Sequence, residues 1–220
     1  MQNTEQKISA AVVRLNQILP LAARHRALDP SLQKLHRATL QAYIELGRSL
    51  TRHEMAQQVD DIDAAVDILK HNDLVVFDDH GNPIGAYPFS MQAREHRVTV
   101  NGHTVHCMCA LDALAVSPMF RLATTISSRC HVTRSPITIR QWAHGGLDQA
   151  SADDLYVGIN WGAASSDSCC ADSLCLEMIF LKHEVAANRW LKQAADQRQI
   201  FAIHEALEFA SRFFMPLIHD

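Results

Sequence analysis

The sequence predicts an α+β fold, in which a helical N-terminal module precedes a mostly antiparallel β-sheet core with flanking helices. Apolar residues recur at helical spacing up to about residue 71. From about residue 95 they fall in short β-type runs separated by turn signals. The 220 residues are 48% hydrophobic, which is enough to bury a core. We expect the chain to divide into residues 1–92 and 93–220.

Four helices are predicted in the first part. Their expected spans are 4–27 (interrupted at Pro20), 31–47, 49–59 and 62–71 (capped by Asp60 or Asp61). Asp29 before Pro30 is a start signal for the second helix, and Gly47 is its expected stop. Thr51, with Glu54 three residues on, has the capping-box spacing for the third.

A β-hairpin is predicted next, with strands 74–77 and 84–87 joined by a turn over residues 78–83. Three helices followed by a hairpin is the order of a winged-helix module. The helix that would enter DNA carries three aspartates, at 61, 63 and 67, against Lys70, and would repel phosphates. The sequence therefore favours a packing or lid module, and we expect no nucleic-acid partner.

Strands and short helices follow in the second part. Residues 97–100 and 103–108 flank Asn101-Gly102, a strong hairpin signal. The other expected elements are a helix over 110–116 ended by Ser117-Pro118, strands over 123–127, 137–139, 155–159 and 174–181, a small-residue loop over 162–173, and helices over 186–193 and 201–214. This arrangement predicts the antiparallel core.

Composition indicates the compartment expected for the protein and the kinds of partner it is expected to lack. No run of 18 uncharged apolar residues occurs, so we expect no membrane span. The first residues lack a basic and then apolar leader, which favours a cytoplasmic protein with reduced thiols. The net charge of −4 is atypical of a general nucleic-acid binder. All six cysteines lie between residues 107 and 175, which favours a thiol site over scattered core fillers.

Cys109 and Asp112 are the first candidates for chemistry. They are three residues apart where the β-type pattern turns helical, so a helix starting near Cys109 places both on one face. Asp112 interrupts an apolar helix, and a buried carboxyl must find a partner or stay protonated. A helix N-terminus would favour the Cys109 thiolate. The alternative is that Cys109 is a small buried hydrophobe.

The remaining cysteines are less certain candidates. Cys175 lies in the apolar run predicted as a strand, and Cys169-Cys170 lies in the small-residue loop. Cys130 is expected to be structural, and the role of Cys107 is open. The sequence lacks a phosphate-binding Gly-rich loop, a nucleophile elbow and the paired cysteine knuckles of a structural zinc site.

The chain resembles the organomercurial lyases (alkylmercury lyases) over residues 30 to 214. The residues that carry the resemblance are Cys109-Ala110-Leu111-Asp112-Ala113-Leu114, Ser127-Ser128-Arg129-Cys130 with Pro136, Ser173-Leu174-Cys175 followed by Phe180-Leu181 and Trp190, Ala202-Ile203-His204-Glu205-Ala206, and Asp79-His80-Gly81-Asn82 in the winged-helix module.

This resemblance implies a cofactor-free enzyme that cleaves the carbon–mercury bond. Cys109 and Cys175 would capture mercury, and Asp112 would take protons from the thiols and deliver one to the leaving carbon. Cys175 is favoured as the second thiol and Cys169 is the alternative; Asp112 and Cys169 are further candidate metal ligands. The implied partners are an organomercurial substrate, small-molecule thiols and a mercuric reductase that accepts Hg(II).

Two other functions fit part of the sequence pattern. A non-catalytic soft-metal binder or chaperone for Hg(II) or Cu(I) could use the same thiols, but it would not need an acid at Asp112. A winged-helix metal-responsive regulator would bind DNA in a salt-sensitive way, and the acidic helix argues against it.

Overall fold

The computed structural model of the protein describes residues 4–143, 145–165 and 169–219. The helices are α1 (Thr4–Ile18), α2 (Leu21–Ala27), α3 (Pro30–Leu46), α4 (Arg52–Ala56), α5 (Ile62–His71), α6 (Ala110–Phe120), α7 (Gln149–Ala152), α8 (Glu184–Leu191) and α9 (Ile203–Phe214). The strands are β1 (Val75–Phe77), β2 (Pro83–Ala86), β3 (Phe89–Ser90), β4 (His96–Val100), β5 (His103–Cys107), β6 (Thr124–Arg129), β7 (Pro136–Gln141), β8 (Leu155–Asn160), β9 (Met178–Lys182) and β10 (Arg198–Ala202).

The strands form two antiparallel sheets. The larger has the order β1-β2-β3-β5-β4-β6-β7, and the smaller has the order β10-β8-β9. Helix α6 contacts β4 and β6 of the large sheet, β9 of the small sheet, and α9. Ten consecutive residues of α6, Ala110 to Met119, are buried. A helix that is apolar all round belongs in an interior, and α6 occupies it.

The helix boundaries follow the capping signals in the N-terminal part. Asp29 accepts hydrogen bonds from the backbone amides of Ser31 and Leu32, and α3 ends at Gly47 with φ of 67°. Thr51 and Glu54 form the predicted capping box. Of the two aspartates considered for α5, Asp61 is the cap and accepts from the backbone amide of Ala64.

The predicted order of helices followed by a hairpin is present, but the hairpin is not a free wing. Strand β2 pairs with β3, and β3 pairs with β5, so β1 and β2 form one edge of the large sheet. The fold established here is a mixed helical and antiparallel-sheet architecture. The large sheet includes strands on both sides of residue 92, and the division there stays a prediction.

Helix α6 runs past the predicted stop. Pro118 lies inside the helix, where it cannot donate a hydrogen bond to the carbonyl of Leu114. The side chain of Gln141 supplies that bond instead, with Nε2 3.0 Å from the Leu114 oxygen. The expectation that Ser117-Pro118 ends the helix was therefore wrong, because a side chain from β7 takes over the lost bond.

The last predicted helix also starts later than expected. Residues 198–202 form β10, which pairs with β8, and α9 begins at Ile203. Phe201 packs as a strand residue, with its ring centroid 5.5 Å from that of Phe209 on α9. An apolar residue next to a helix fits either pattern, and pairing with β8 decides the outcome. Among the described residues, none of the helices combines the length and apolar character needed to span a bilayer.

Candidate active site

Cys109 occupies the N-cap position of α6, as the sequence predicts. Its backbone is extended (φ −148°, ψ 178°), and its Sγ accepts a hydrogen bond from the Asp112 backbone amide at 3.3 Å. A thiol thus takes the place usually filled by a hydroxyl or carboxylate oxygen. Strand β5 leads directly into this cap, so the thiol is held where the large sheet meets the buried helix.

Cys175 lies near Cys109, on the segment that leads into β9 of the small sheet. The sequence predicted a strand over 174–181, but Leu174–Glu177 form a 3₁₀ turn and β9 begins at Met178. The Leu176 amide donates to the Ser173 carbonyl at 3.2 Å, closing the turn. Short apolar runs do not distinguish strands from helical turns, which explains the error. The turn lets Cys175 be buried while its neighbour Leu176 is exposed.

The two thiols and the carboxyl of Asp112 form one cluster. Their potential ligand atoms all lie within 4.8 Å of one another. The exposed fractions are 1% for Cys109, 0% for Asp112 and 4% for Cys175. The Cys109 thiol also donates to Met178 Sδ at 3.6 Å, which adds a third sulfur to the wall of the site. Sequence reasoning missed Met178, since a methionine at the start of a strand is an ordinary core residue.

The pKa of the Asp112 carboxyl is raised to about 7. Burial is the main cause, because it penalises the ionised form, and interactions with the thiol and backbone amide of Cys109 offset only part of the effect. Neither carboxyl oxygen makes a hydrogen bond of normal geometry with the described residues. Asp112 can therefore accept or release a proton near neutral pH.

Both thiols are protonated in the resting site. Burial raises the pKa of Cys109 to about 12, although contact with Cys175 and the Asp112 amide lower it in part. Hydrogen bonding to Cys109 and Cys170, with burial, raises the pKa of Cys175 well above its ordinary value. The helix N-terminus was expected to favour the Cys109 thiolate, and that effect is present but weaker than burial. Binding to a soft metal is what would ionise these thiols.

The remaining cysteines differ in position. Cys170 is buried, with Sγ 3.7 Å from Cys175 Sγ. Cys169 lies outside the cluster of Cys109, Asp112 and Cys175, is partly exposed, and donates to Asp172 at 3.3 Å.

Two more cysteines lie in the core. Cys107 is buried at the end of β5. The Sγ of Cys130 accepts from the Lys182 backbone amide at 3.3 Å, which suits the structural role predicted for it.

The cluster is closed to solvent. A cleft of about 720 Å³ lies between the C-terminal end of α6 and α9, lined by residues that include Pro118, Arg121 and Leu207. None of the three cluster residues borders it, so we do not assign it to the chemistry. A substrate must reach the cluster through movement of the surrounding chain.

The fold buries two thiols and one titratable acid together, and this set of groups is suited to binding a soft metal and transferring a proton beside it. Residues 89–215 match the family model of the alkylmercury lyases (MerB), which is more than half of the chain. The chain belongs to the alkylmercury lyase family.

Individual relatives agree with this assignment. An alkylmercury lyase from Pseudomonas putida is 29% identical over 114 residues, an alignment that covers 52% of this chain and 52% of the relative. The chain thus spans about half the length of that relative. The crystal structure of the mercury-bound form of MerB2 superposes with a TM-score of 0.72, covering 90% of this chain and 98% of that one, at 20% identity. It shares the fold.

Proposed function

We propose that this protein is an organomercurial lyase that cleaves the carbon–mercury bond by protonolysis, giving a hydrocarbon and Hg(II). The observation that carries the proposal is the buried cluster in which Cys109, Cys175 and Asp112 have their ligand atoms within 4.8 Å. Two soft sulfur ligands suit mercury, and the acid beside them suits proton transfer to carbon. Family membership supports the same activity.

The first step is capture of the substrate by Cys109. A sulfur–mercury bond forms as the bond from mercury to its incoming ligand, such as a small-molecule thiolate, breaks. The proton of Cys109 passes to Asp112, which is partly ionised near neutral pH because its pKa is about 7. The departing thiolate takes up a proton at the end of the reaction, so the substrate exchanges one sulfur ligand for another.

The second step brings in Cys175 and breaks the carbon bond. Its sulfur bonds to mercury as its proton passes to the thiolate that departed in the first step, and electron donation from two thiolates weakens the carbon–mercury bond. Asp112 delivers a proton to the carbon as that bond breaks. Overall, two thiols and one organomercurial give a hydrocarbon, Hg(II) bound to two thiolates, and the protonated leaving ligand. No oxidation or reduction occurs, and the balance requires no cofactor.

The closed environment supports this proton transfer. The reacting groups are at most 4% exposed, so few waters compete with the substrate carbon for the proton. Burying an unpaired carboxyl costs free energy. A non-catalytic binder or chaperone for Hg(II) or Cu(I) transfers no proton and would gain nothing from that cost. The raised pKa of Asp112 therefore favours the lyase over the metal-binding alternative.

The N-terminal residues up to about 92 are proposed to form a winged-helix-like module that helps to close the site rather than bind DNA. Asp73, which follows α5, accepts a hydrogen bond from the Cys170 backbone amide, and burial raises its pKa. The Tyr87 hydroxyl donates to Asp73 at 3.5 Å. The ring of Phe89 stacks on Tyr43 of α3 at 4.7 Å between centroids.

The proposed partners follow from the products of the reaction. Small-molecule thiols would deliver the substrate, and a mercuric reductase would accept Hg(II). A cytoplasmic location is proposed because six free cysteines require a reducing compartment to remain thiols.

The test is hydrocarbon release from methylmercury or phenylmercury with excess thiol. We expect repeated turnover by the wild type and a loss of at least about a hundredfold in Asp112→Asn, because general acid catalysis contributes on that order or more. Asn keeps the shape and the helix N-terminus but cannot exchange the proton. Cys109→Ser and Cys175→Ser should lose activity as well.

Asp196→Asn is the matched control, since Asp196 is an exposed acid far along the chain from the cluster. It should turn over as the wild type does. Tight mercury binding without hydrocarbon from the wild type would refute the lyase and leave a metal-binding member of the family. Equal turnover by Asp112→Asn would refute the role of the acid.

A further inference from the structure

A second pair of thiols lies beside the cluster and extends from it toward the surface. Cys170 is buried, and its Sγ lies 3.7 Å from Cys175 Sγ, close enough for one metal ion to contact both sulfurs after a small shift. Residues 170–172 form a 3₁₀ turn directly before the turn that holds Cys175. The two turns therefore fix these sulfurs relative to each other.

Cys169 is the outer member of the pair. All six cysteines lie within the described residues, and Cys169 is the one that is not buried. Its thiol donates to Asp172 Oδ2 at 3.3 Å, and the other oxygen of Asp172 accepts from Arg94 at 3.0 Å. The Ser173 hydroxyl donates to the Cys169 carbonyl at 2.9 Å. These contacts hold one thiol at the protein surface, hydrogen-bonded to a carboxylate.

We propose that Cys170 and Cys169 form a relay that carries Hg(II) from the buried cluster to an external thiol. The proposal depends on the proposed lyase function as the source of the mercury, whereas the experiment that tests it does not depend on that function. With the site closed, as in this structure, an external thiol has no direct approach to Cys109 or Cys175, since both are buried. Cys170 lies against Cys175, and its chain neighbour Cys169 is partly exposed, so the relay would give the metal sulfur ligands in the direction of solvent.

Each transfer is an exchange of one thiol for another. The Cys170 sulfur bonds to mercury held by Cys109 and Cys175, the bond to Cys109 breaks, and the proton of Cys170 goes to Cys109. The Cys169 sulfur then bonds to mercury, the bond to Cys175 breaks, and the proton of Cys169 goes to Cys175. The metal stays Hg(II) throughout, and two external thiols complete the series: each bonds to mercury and gives its proton to Cys170 or Cys169 as the bond to that cysteine breaks.

The experiment starts from mercuric chloride, so it does not depend on carbon–mercury cleavage. Reduced wild type, Cys170→Ala and Cys169→Ala are each loaded with one equivalent and mixed with excess glutathione. The mercury left on the protein is measured after rapid desalting at a series of times. We expect both variants to release mercury at least about tenfold more slowly, because a neighbouring thiol held in place reacts as if highly concentrated.

Cys107→Ala is the matched control, since it also removes a buried thiol, one that lies two residues before Cys109. It should release mercury at the wild-type rate. Release from both relay variants within twofold of the wild type, or equal slowing in Cys107→Ala, would overturn the relay. Should Cys170→Ala fail to fold, Cys169→Ala decides the matter, because its side chain is partly exposed. Hydrocarbon release by the wild type is scored separately and tests the lyase alone.

Discussion

Replacing Asp112 with Asn should change how the stability of the protein depends on pH. Burial raises the pKa of this carboxyl from an ordinary 3.8 to about 7. Between these values the folded state holds a proton that the unfolded chain has lost. The free energy of unfolding therefore falls as pH rises through this window. Asn carries no charge at any of these pH values, so the variant lacks this contribution.

The size of the effect follows from the pKa difference. One unit corresponds to about 1.4 kcal/mol, and raising the pH from 5 to 8 ionises Asp112 almost completely in the folded protein. Over that range the wild type should lose about 3 kcal/mol relative to Asp112→Asn. The thiols of Cys109 and Cys175 stay protonated across it, because their pKa values are raised still further.

The assay is urea unfolding of both proteins at pH 5 and pH 8. The quantity of interest is the change with pH in the difference between variant and wild type, since other titrating groups cancel in that comparison. Asp196→Asn, at an exposed position, should show no such change. A difference that stays within about 0.5 kcal/mol, or that favours the wild type at pH 8, would refute the view that Asp112 is a buried acid held near neutrality.

Two further substitutions test how the core is built around the site. Gln141→Leu should cost about 1 to 3 kcal/mol in urea unfolding, because the Leu114 carbonyl beside Pro118 loses its donor; an unchanged midpoint would mean that the bond has no value. Gly158→Ala should cost about 1 to 3 kcal/mol, because its Cβ would lie 2.8 Å from the Trp190 ring; a stability equal to the wild type would show that the ring can move aside.

Local signals predicted the helical part of the fold well. The caps at Asp29 and Asp61 and the stop at Gly47 depend on short-range hydrogen bonds and backbone conformations, which the sequence carries directly. The errors at Pro118 and Phe201 have the opposite origin. A side chain on β7 and a partner strand decide these two positions, and neither is adjacent in sequence.

In the candidate site, too, the sequence predicts what local signals determine and misses what packing between distant segments determines. The spacing of Cys109 and Asp112 predicts one helix face, and the structure places both at the start of α6. The nearness of Cys175 depends on how two sheets pack, which periodicity does not report; the family resemblance supplied that residue. The same reasoning missed the contact between Cys170 and Cys175, because two consecutive 3₁₀ turns in a loop leave no pattern in an apolar profile.

The two thiols of the cluster are held by segments next to different sheets, since Cys109 follows β5 and Cys175 precedes β9. A mercury ion bonded to both would act as a cross-link that ties the two halves of the core together, much as a disulfide would. A ligand that binds only the folded state stabilises it in proportion to its affinity. On the proposed mechanism, the Hg(II)-bound product would therefore be more stable toward unfolding than the empty protein. On that mechanism, the two sulfur–mercury bonds that make capture secure also oppose departure of the metal.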